Sequence, residues 1–257
     1  MSGEVRVLHV DDDREFAEVT AAFLERAGVE GVFVTSVEAA LDRLAVEAFD
    51  CVVSDYDMPD ENGLVLLDRV REAHPEMPFV LFTGKGSEEV ASEAISKGVT
   101  DYLQKGGGSE TYELLVKRVE NAVDQRRARA DAERSRRFLE KVVEHATDII
   151  ATVDASGEIV FVSGSVEEIL GYTPGEIRER GPFELIHPDD RERVERQFGE
   201  RLTDPERPTG IRHRAIHADG SVVELEARAY NLVDDPDIEG ILIYTRLHGD
   251  GTDATAA

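Results

Sequence analysis

The sequence is short of several residue types on which whole classes of protein depend. A single cysteine, Cys51, among 257 residues allows no internal disulfide, and one sulfur cannot build a thiolate zinc site. No uninterrupted apolar run approaches the ~20 residues of a membrane-spanning helix, and the first residues lack the basic-then-apolar pattern of a secretory signal. We therefore expect a cytoplasmic protein that does not insert into a membrane.

Positive charge is scarce as well. The 29 basic residues, of which only five are lysine, stand against 55 acidic residues, and the net charge is −26. Such a surface repels a phosphate backbone, so we expect no direct contact with nucleic acid. Two explanations of the charge remain open. One is an ordinary acidic protein; the other, our working hypothesis, is a cytoplasm at molar salt, where screening removes most of the self-repulsion.

Residues 5 to about 109 alternate short apolar runs with stretches of helical periodicity. Ser36 and Ser87 stand where helix N-caps are expected, and Val19 and Ile95 are assigned to apolar helix faces. Strands that are apolar throughout and separated by helices predict an α/β domain with a doubly wound, parallel five-stranded sheet. The predicted strands are VRVLHV (5–10), GVFVT (31–35), DCVVS (50–54), PFVLFT (78–83) and TDYLQ (100–104).

Residues 110–147 contain no Pro or Gly, and they predict a continuous linker helix. Leu115, Val119, Ala122 and Val123 form an apolar stripe that is expected to pack on the first domain. The middle of the segment is nearly all polar, which favours a solvated helix over a coiled coil, since the apolar seam would be broken for two heptads. The segment has a net charge of +1, whereas the residues before and after it carry −14 and −13.

Residues 148–247 predict a second domain, of α+β class with an antiparallel sheet. Two strands flank a hairpin turn at Gly157, a helical stretch follows, and three further strands come after it. One of these strands alternates apolar and polar residues, as a half-buried strand does. Its inward positions are Val223, Leu225, Ala227 and Ala229. Residues 248–257 are expected to be a disordered tail.

Chemically active side chains follow the strands of the first domain. Asp11 and Asp12 come directly after the first predicted strand, and Asp55 after the third. In a 2-1-3-4-5 strand order these ends are neighbours at the topological switch point. Carboxylates crowded there repel one another unless a hard cation binds them, which suggests Mg²⁺ with oxygen ligands.

Two further side chains end the neighbouring strands. Thr83 ends the fourth strand and Lys105 follows the fifth, so a hydroxyl and an ammonium group could hold a phosphoryl group beside the metal. Taken singly, an acidic run, a capping threonine and a surface lysine each have an ordinary structural explanation. The agreement of four strand ends favours a site.

These segments resemble the receiver domain of two-component response regulators. The resemblance rests on VDDD (10–13), SDYDMPDENG (54–63), FTG (82–84) and DYLQKG (101–106), and the domain would span residues 1–124. It implies that a histidine kinase phosphorylates Asp55 and that Asp11, Asp12, Asp55 and the backbone carbonyl of Asp57 hold Mg²⁺. It also implies that Thr83 and Lys105 contact the phosphoryl group and that Tyr102 is an aromatic switch. Gly106 departs from the proline that usually follows the lysine.

Residues 148–247 resemble a PAS domain, on the D-x-x-G turn at 154–157, LGYTPGEI (170–177) and LIHPDDRERV (185–194). We expect His187 to be structural rather than a haem ligand, and His213 and His217 to be surface residues without partners. The domain has no cysteine, which excludes a flavin–cysteinyl photoreceptor. We expect it to act through protein contacts and to bind no coloured cofactor. Its inward strand positions are interpreted as simple core, and a small colourless ligand there stays open.

The function expected from these resemblances is that of a phosphorylated signalling regulator, of haloarchaeal origin given its charge. Its receiver would promote its own Mg²⁺-dependent phosphorylation and dephosphorylation, without a separate catalytic domain. The signal would pass through the linker helix at 110–147 to a sensory or docking PAS domain and an unidentified downstream protein, and the linker or the PAS domain could form a homodimer. The alternatives are a truncated or atypical sensor or hybrid kinase that lacks its catalytic part, and a transcriptional regulator that acts through a partner.

Overall fold

The structure, a computed structural model, describes residues 5–84, 88–106, 108–181, 183–203 and 210–249. The chain divides into two units, residues 1–134 and 135–257. Ser87 and residues 250–257 of the expected tail lie outside the described residues. Within the described ranges, no helix has both the length and the apolar character needed to cross a membrane.

The first unit alternates strands and helices from end to end. Its five strands form a parallel sheet in the order β2-β1-β3-β4-β5, as the alternating pattern predicts. The elements are β1 (Val5–Val10), α1 (Arg14–Arg26), β2 (Val29–Val34), α2 (Val37–Val46), β3 (Cys51–Ser54), α3 (Gly63–Ala73), β4 (Phe79–Thr83), α4 (Glu88–Ser96), β5 (Asp101–Gln104) and α5 (Ser109–Glu144).

Each face of this sheet has its own apolar core. Leu8, Val52 and Leu81 face one side, where α2, α3 and α4 cover them, and Val7, Val53 and Phe82 face the other, which α1 and α5 cover. Residues of β3 and β4 are completely buried because both of their faces are covered. This two-sided burial explains why the predicted strands contain no alternation of polar residues.

Helix α5 begins in the first unit and ends in the second. Leu115, Val119, Ala122 and Val123 are buried, as the apolar stripe predicts. No described residue of α5 beyond Val123 is buried. The helix up to Val123 therefore belongs to a hydrophobic core, and the remainder is a largely solvated helix.

The structure corrects two predicted helix faces and one strand boundary. Val19 is 43% exposed and Ile95 is 69% exposed, because the adjacent residues Thr20 and Ala94 are the buried ones instead. Strand β2 begins at Val29, two residues before the predicted start, since it pairs with β1 along the full length of that strand. Ser36 caps α2 as predicted, with its hydroxyl accepting a hydrogen bond from the Ala39 N–H at 3.2 Å.

The second unit contains a five-stranded antiparallel sheet in the order β7-β6-β10-β9-β8. Along the chain, three helices lie between β7 and β8. Its elements after α5 are β6 (Ile149–Asp154), β7 (Ile159–Val162), α6 (Ser165–Leu170), α7 (Pro174–Arg180), α8 (Pro188–Thr203), β8 (Gly210–Ile216), β9 (Val222–Leu232) and β10 (Gly240–Leu247). The α+β class with an antiparallel sheet is confirmed.

Two aspartate–glycine turns set the register of this sheet. The Asp154 carboxylate accepts hydrogen bonds from the backbone N–H groups of Ser156 and Glu158, both at 2.9 Å. Gly157 has a φ of +91°, which residues other than glycine rarely adopt. The second turn has the same kind of contact, since the Asp219 carboxylate accepts a hydrogen bond from the Ser221 N–H at 2.8 Å. Both hairpins therefore form where the sequence predicts them.

Candidate functional site

The acidic site begins at the end of β1, where three aspartates have three different surroundings. Asp11 is completely buried, and its Oδ1 accepts a hydrogen bond from the Asp13 N–H at 3.0 Å. Asp12 is exposed. Asp13 caps α1 by accepting from the Phe16 N–H at 3.1 Å. Only Asp11 and Asp12 are therefore left to serve as ligands, because the third carboxylate belongs to the helix.

Asp55 follows β3 and lies beside this pair. Its N–H donates to the Val10 carbonyl at 2.8 Å, which ties the ends of β1 and β3 together, and the side chain is only slightly exposed. One carboxylate oxygen from each of Asp11, Asp12 and Asp55 lies within 4.8 Å of the others. Three hard oxygen donors at this separation fit a divalent cation such as Mg²⁺.

Lys105 joins the two buried carboxylates from the end of β5. Its Nζ lies 2.7 Å from Asp11 Oδ2 and 2.9 Å from Asp55 Oδ2, and it stands over the Phe16 ring at 4.1 Å from the ring centroid. Burial lowers the pKa of Lys105, but the hydrogen bonds to the Asp11 and Asp55 carboxylates raise it. Together these effects leave the pKa of Lys105 above its ordinary value. The lysine is therefore held as a cation above an aromatic face.

The charge balance of the site favours a second positive charge. Burial raises the pKa of Asp11, and the hydrogen bond from Lys105 offsets only part of that effect. A buried carboxylate that one shared ammonium group does not fully neutralise is stabilised by a metal cation. The donor set therefore fits the ion that the resemblance implies.

The remaining predicted residues lie at the end of β4, in the loop after β3 and on β5. Thr83 is completely buried as the last residue of β4, and its carbonyl accepts a hydrogen bond from the Lys105 N–H at 2.8 Å. Asp57 is exposed in the loop after Asp55. Tyr102 on β5 is half-buried, and its hydroxyl has no hydrogen-bond partner among the described residues; burial raises the pKa of that hydroxyl.

The loop after Asp55 is fixed by close backbone packing. Gly63 donates from its N–H to the Tyr56 carbonyl at 3.0 Å, and a Cβ at Gly63 would lie 2.2 Å from the Asp55 carbonyl oxygen. Asn62 caps α3, accepting from the N–H groups of Leu64 and Val65. The segment SDYDMPDENG therefore positions Asp55 from both sides.

Two residues of the site are absent from the sequence-based prediction. Phe16 provides the aromatic face under Lys105, and its only signal is its helical spacing from the strand end. His9 is buried with its Nε2 3.7 Å from Asp11 Oδ2, and neither ring nitrogen has a hydrogen-bond partner within the described ranges. Burial, together with the charge of Lys105, lowers the pKa of His9 to about 3, so the imidazole is neutral at pH 7. A single polar residue in the apolar run VLHV is a signal that could have identified it.

The second unit corrects the predictions for its histidines. His213 is not a surface residue: it lines a cavity, and its Nδ1 is buried. His217 is half-buried and does have a partner, since its Nδ1 lies 2.9 Å from Asp219 Oδ1. His187 precedes α8 as predicted and accepts a long hydrogen bond from the Asp189 N–H at 3.3 Å. Leu225, Ala227 and Ala229 face inward as predicted, but they line the same cavity rather than a filled core.

Comparison with known proteins agrees with this architecture. Residues 7–120 match the response regulator receiver domain, and residues 159–241 match the PAS fold. The chain is 44% identical over 100 residues to the response regulator protein FleR of Pseudomonas aeruginosa, covering 39% of this chain and 21% of FleR. It is 30% identical over 133 residues to the transcriptional regulatory protein FixJ of Bradyrhizobium diazoefficiens, covering 52% of this chain and 63% of FixJ.

Among solved structures, the receiver domain protein (CheY-like) of Methanospirillum hungatei is similar, at 24% identity and a TM-score of 0.46, over 49% of this chain and 99% of that one. The chain thus contains a response regulator receiver domain followed by a PAS fold, and its receiver domain is homologous to response regulators of two-component signalling. Both curated relatives are bacterial, so the haloarchaeal origin stays a prediction.

Proposed function

We propose that this chain is a response regulator whose Asp55 accepts a phosphoryl group from a histidine kinase. The observation that carries the proposal is the cluster in which Asp11, Asp12 and Asp55 bring ligand oxygens within 4.8 Å of one another, with Lys105 Nζ 2.9 Å from Asp55 Oδ2. FleR, of which this chain spans 21%, is named a response regulator protein, which supports the same role.

The transfer uses a carboxylate oxygen of Asp55 as the nucleophile. A new P–O bond forms between that oxygen and phosphorus while the P–N bond of the donor phosphohistidine breaks, and the product is an acyl phosphate. The Asp55 backbone is held by the hydrogen bond to Val10 and by the close approach of Gly63, which orient the nucleophile.

The surrounding residues would bind the incoming charge. Mg²⁺ would be held by Asp11, Asp12, Asp55 and the backbone carbonyl of Asp57, and when bound it would neutralise phosphoryl oxygens. Lys105 would exchange its contact with Asp55 for a phosphoryl oxygen, because its ammonium already lies 2.9 Å from Asp55 Oδ2. The Thr83 hydroxyl would donate a hydrogen bond to another phosphoryl oxygen. Tyr102 would change orientation once the phosphoryl group is in place.

The output would run from the receiver through α5 to the PAS domain. A continuous helix from Ser109 to Glu144 supports this route, since its start is packed in the receiver core and its end belongs to the second unit. The receiver would also promote its own dephosphorylation. The downstream partner is a protein rather than DNA, because a net charge of −26 opposes binding to a phosphate backbone.

The test is phosphorylation of the full chain by acetyl phosphate, with intact mass as the readout. Wild type should gain one phosphoryl group in Mg²⁺ and none in EDTA. Asp55→Asn, which keeps the shape and removes the nucleophile, should gain none. Asp60→Asn is the matched control, since Asp60 is exposed in the same loop and asparagine tolerates its φ of +36°. Labelling of Asp55→Asn at the wild-type level would show that the acceptor lies elsewhere.

A further inference from the structure

A buried histidine lies on β1, two residues before Asp11. His9 is 2% exposed, and neither of its ring nitrogens has a hydrogen-bond partner among the described residues. The alternation of the strand places it on the same face as Val7, where α1 and α5 cover the sheet. Native proteins rarely leave buried polar atoms unpaired, because the hydrogen bonds lost with water are costly, and an apolar side chain would avoid that cost. Packing alone therefore does not explain an imidazole at this position.

The Asp11 carboxylate lies beside this imidazole. His9 Nε2 is 3.7 Å from Asp11 Oδ2, which exceeds the ~3.2 Å limit of an ordinary N–H···O hydrogen bond by about 0.5 Å. Oδ2 instead accepts from Lys105 Nζ at 2.7 Å, while Oδ1 accepts from the Asp13 N–H at 3.0 Å. In this state Lys105 therefore makes the short contact with the oxygen that His9 approaches.

Phosphorylation would change this arrangement. A phosphoryl group carries more negative charge than a carboxylate, so it would draw the Lys105 ammonium away from Asp11, whose charge the bound metal would neutralise. Asp11 Oδ2 would then lose its short contact. Because Asp11 is completely buried, water would not readily take the place of the lysine. His9 Nε2 is the other side-chain nitrogen beside that oxygen.

We propose that His9 is a positioning residue of the phosphorylated site, whose Nε2–H donates to Asp11 Oδ2 after Lys105 has turned to the phosphoryl group. A movement of less than about 1 Å by either side chain makes this hydrogen bond, and the imidazole tautomer with its proton on Nε2 supplies the donor. The bond holds Asp11 in place as a metal ligand, as hydrogen bonds to ligating carboxylates do. His9 itself touches neither the metal nor the reacting atoms. The inference rests on the function proposed for Asp55 and deepens it.

The test compares two states of the full chain by calorimetry. Mg²⁺ is titrated into the resting protein, and beryllofluoride, a tetrahedral mimic of a phosphoryl group on a carboxylate, is titrated into the protein at saturating Mg²⁺. His9→Leu should bind Mg²⁺ within about twofold of wild type, because Lys105 still holds Asp11. The same variant should bind beryllofluoride about tenfold more weakly than wild type, the factor that one good hydrogen bond supplies.

Two further variants separate positioning from packing. His9→Gln places an amide N–H at nearly the reach of Nε2 and should restore most of the beryllofluoride affinity. His74→Leu makes the leucine substitution at a histidine that follows α3, away from the carboxyl ends of the strands, and should change neither affinity. His9→Leu should also keep the thermal midpoint of wild type or raise it, since an unpaired buried imidazole is removed.

Wild-type affinity for beryllofluoride in His9→Leu would overturn the proposal. Equal losses in His9→Leu and His9→Gln, accompanied by lower thermal midpoints, would also overturn it, because that pattern assigns His9 to packing. A tenfold loss of Mg²⁺ affinity in resting His9→Leu would show that His9 acts before Lys105 moves, which contradicts the exchange of contacts. A wild-type protein that binds no beryllofluoride and gains no phosphoryl group would overturn the function proposed for Asp55, and this inference with it.

Discussion

The loop that positions Asp55 depends on the absence of one side chain. A Cβ at Gly63 would lie 2.2 Å from the Asp55 carbonyl oxygen and 3.0 Å from Leu81 Cδ1. The first is a backbone atom and the second belongs to a core residue, so neither neighbour can easily move away from an added methyl group. We therefore expect Gly63→Ala to lower the free energy of unfolding of the receiver unit by about 1–3 kcal/mol, the usual cost of overpacking. Urea denaturation measures this change. Phosphorylation at Asp55 should slow in the same variant, since the nucleophile is displaced.

Gly108→Ala is the matched control, because a Cβ there meets no atom within 4 Å and the backbone is not left-handed. It should leave the urea midpoint unchanged or raise it slightly, as removal of glycine restricts the unfolded chain. Equal midpoints for the two variants would contradict the close approach at Gly63.

Cys51 is a second residue whose surroundings determine its chemistry. The thiol is completely buried at the start of β3, and burial raises its pKa to about 12. Thiolate is the reactive form, so the native protein should not react with Ellman's reagent at pH 8, whereas one thiol should react on unfolding in denaturant. In the control variant Val46→Cys, the new thiol lies at a position that is 79% exposed and should react at once. Rapid reaction of the native wild type would contradict the burial of β3.

At the scale of elements, helix α5 combines a packed start with a solvated middle. Arg126 and Arg127 form ion pairs with Asp50 at 2.8 and 3.2 Å, and no described residue of the helix beyond Val123 is buried. Helix propensity therefore decides the stability of the middle segment. Replacing Ala130 and Ala132 with glycine should cost about 1 kcal/mol each and should speed amide hydrogen exchange in the residues around them.

The same variant tests whether α5 carries a signal. In wild type, acetyl phosphate should change hydrogen exchange in β6 of the second unit, and the change should be weaker when both alanines are glycines. Ala130→Gln with Ala132→Gln is the control, because glutamine keeps helix propensity and both positions are exposed. Phosphorylation of Asp55 should be equal in both variants. An undiminished response in the glycine variant would mean that α5 need not be continuous.

Most of the elements could be predicted from the sequence because they follow from local patterns. The same holds for the placement of four side chains at neighbouring strand ends, those of Asp11, Asp12, Asp55 and Lys105. An apolar run and a helical period predict strands and helices, and parallel strands bring their carboxyl ends to one edge. Other features depend on which distant segments meet. The ring of Phe16 under Lys105 could not be read from spacing alone, because two segments of the sequence 89 positions apart determine it.

The interior position of His213 has the same cause. It lies on β8, whose polar and apolar residues alternate only partly, and the cavity beside it depends on the alanines of β9 and on the packing of α8. The exposure of Val19 and Ile95 reflects a smaller limit. Val19 lies next to the buried Thr20 and Ile95 next to the buried Ala94, and periodicity alone does not decide which of two adjacent residues points at the sheet.

At the scale of the whole molecule, negative charge is spread over both units. The receiver part carries −14 and the part after α5 carries −13, while the segment at 110–147 carries +1. Several basic residues are already committed to ion pairs, such as Arg214 with Asp190 at 3.0 Å and Arg246 with Glu226 at 2.7 Å. These pairs leave a large excess of carboxylates whose mutual repulsion opposes the compact state.

Stability should therefore rise with salt. At ~0.1 M KCl charges interact over about 10 Å, whereas at ~3 M the range falls below about 3 Å, so the repulsion that destabilises the folded chain is largely removed. We expect a higher thermal midpoint at the higher concentration, measured by circular dichroism.

High salt also strengthens apolar burial, and a charge-reduced variant separates the two effects. Its six substitutions, all at exposed acidic residues, are Glu18→Gln, Glu25→Gln, Glu72→Gln, Glu168→Gln, Glu179→Gln and Asp234→Asn. The variant should have a higher midpoint than wild type at ~0.1 M KCl and a smaller gain at ~3 M, since less repulsion remains to be screened. A wild-type midpoint that is unchanged or lower at high salt would exclude adaptation to molar salt, and equal gains in both proteins would assign the effect to apolar burial instead of charge.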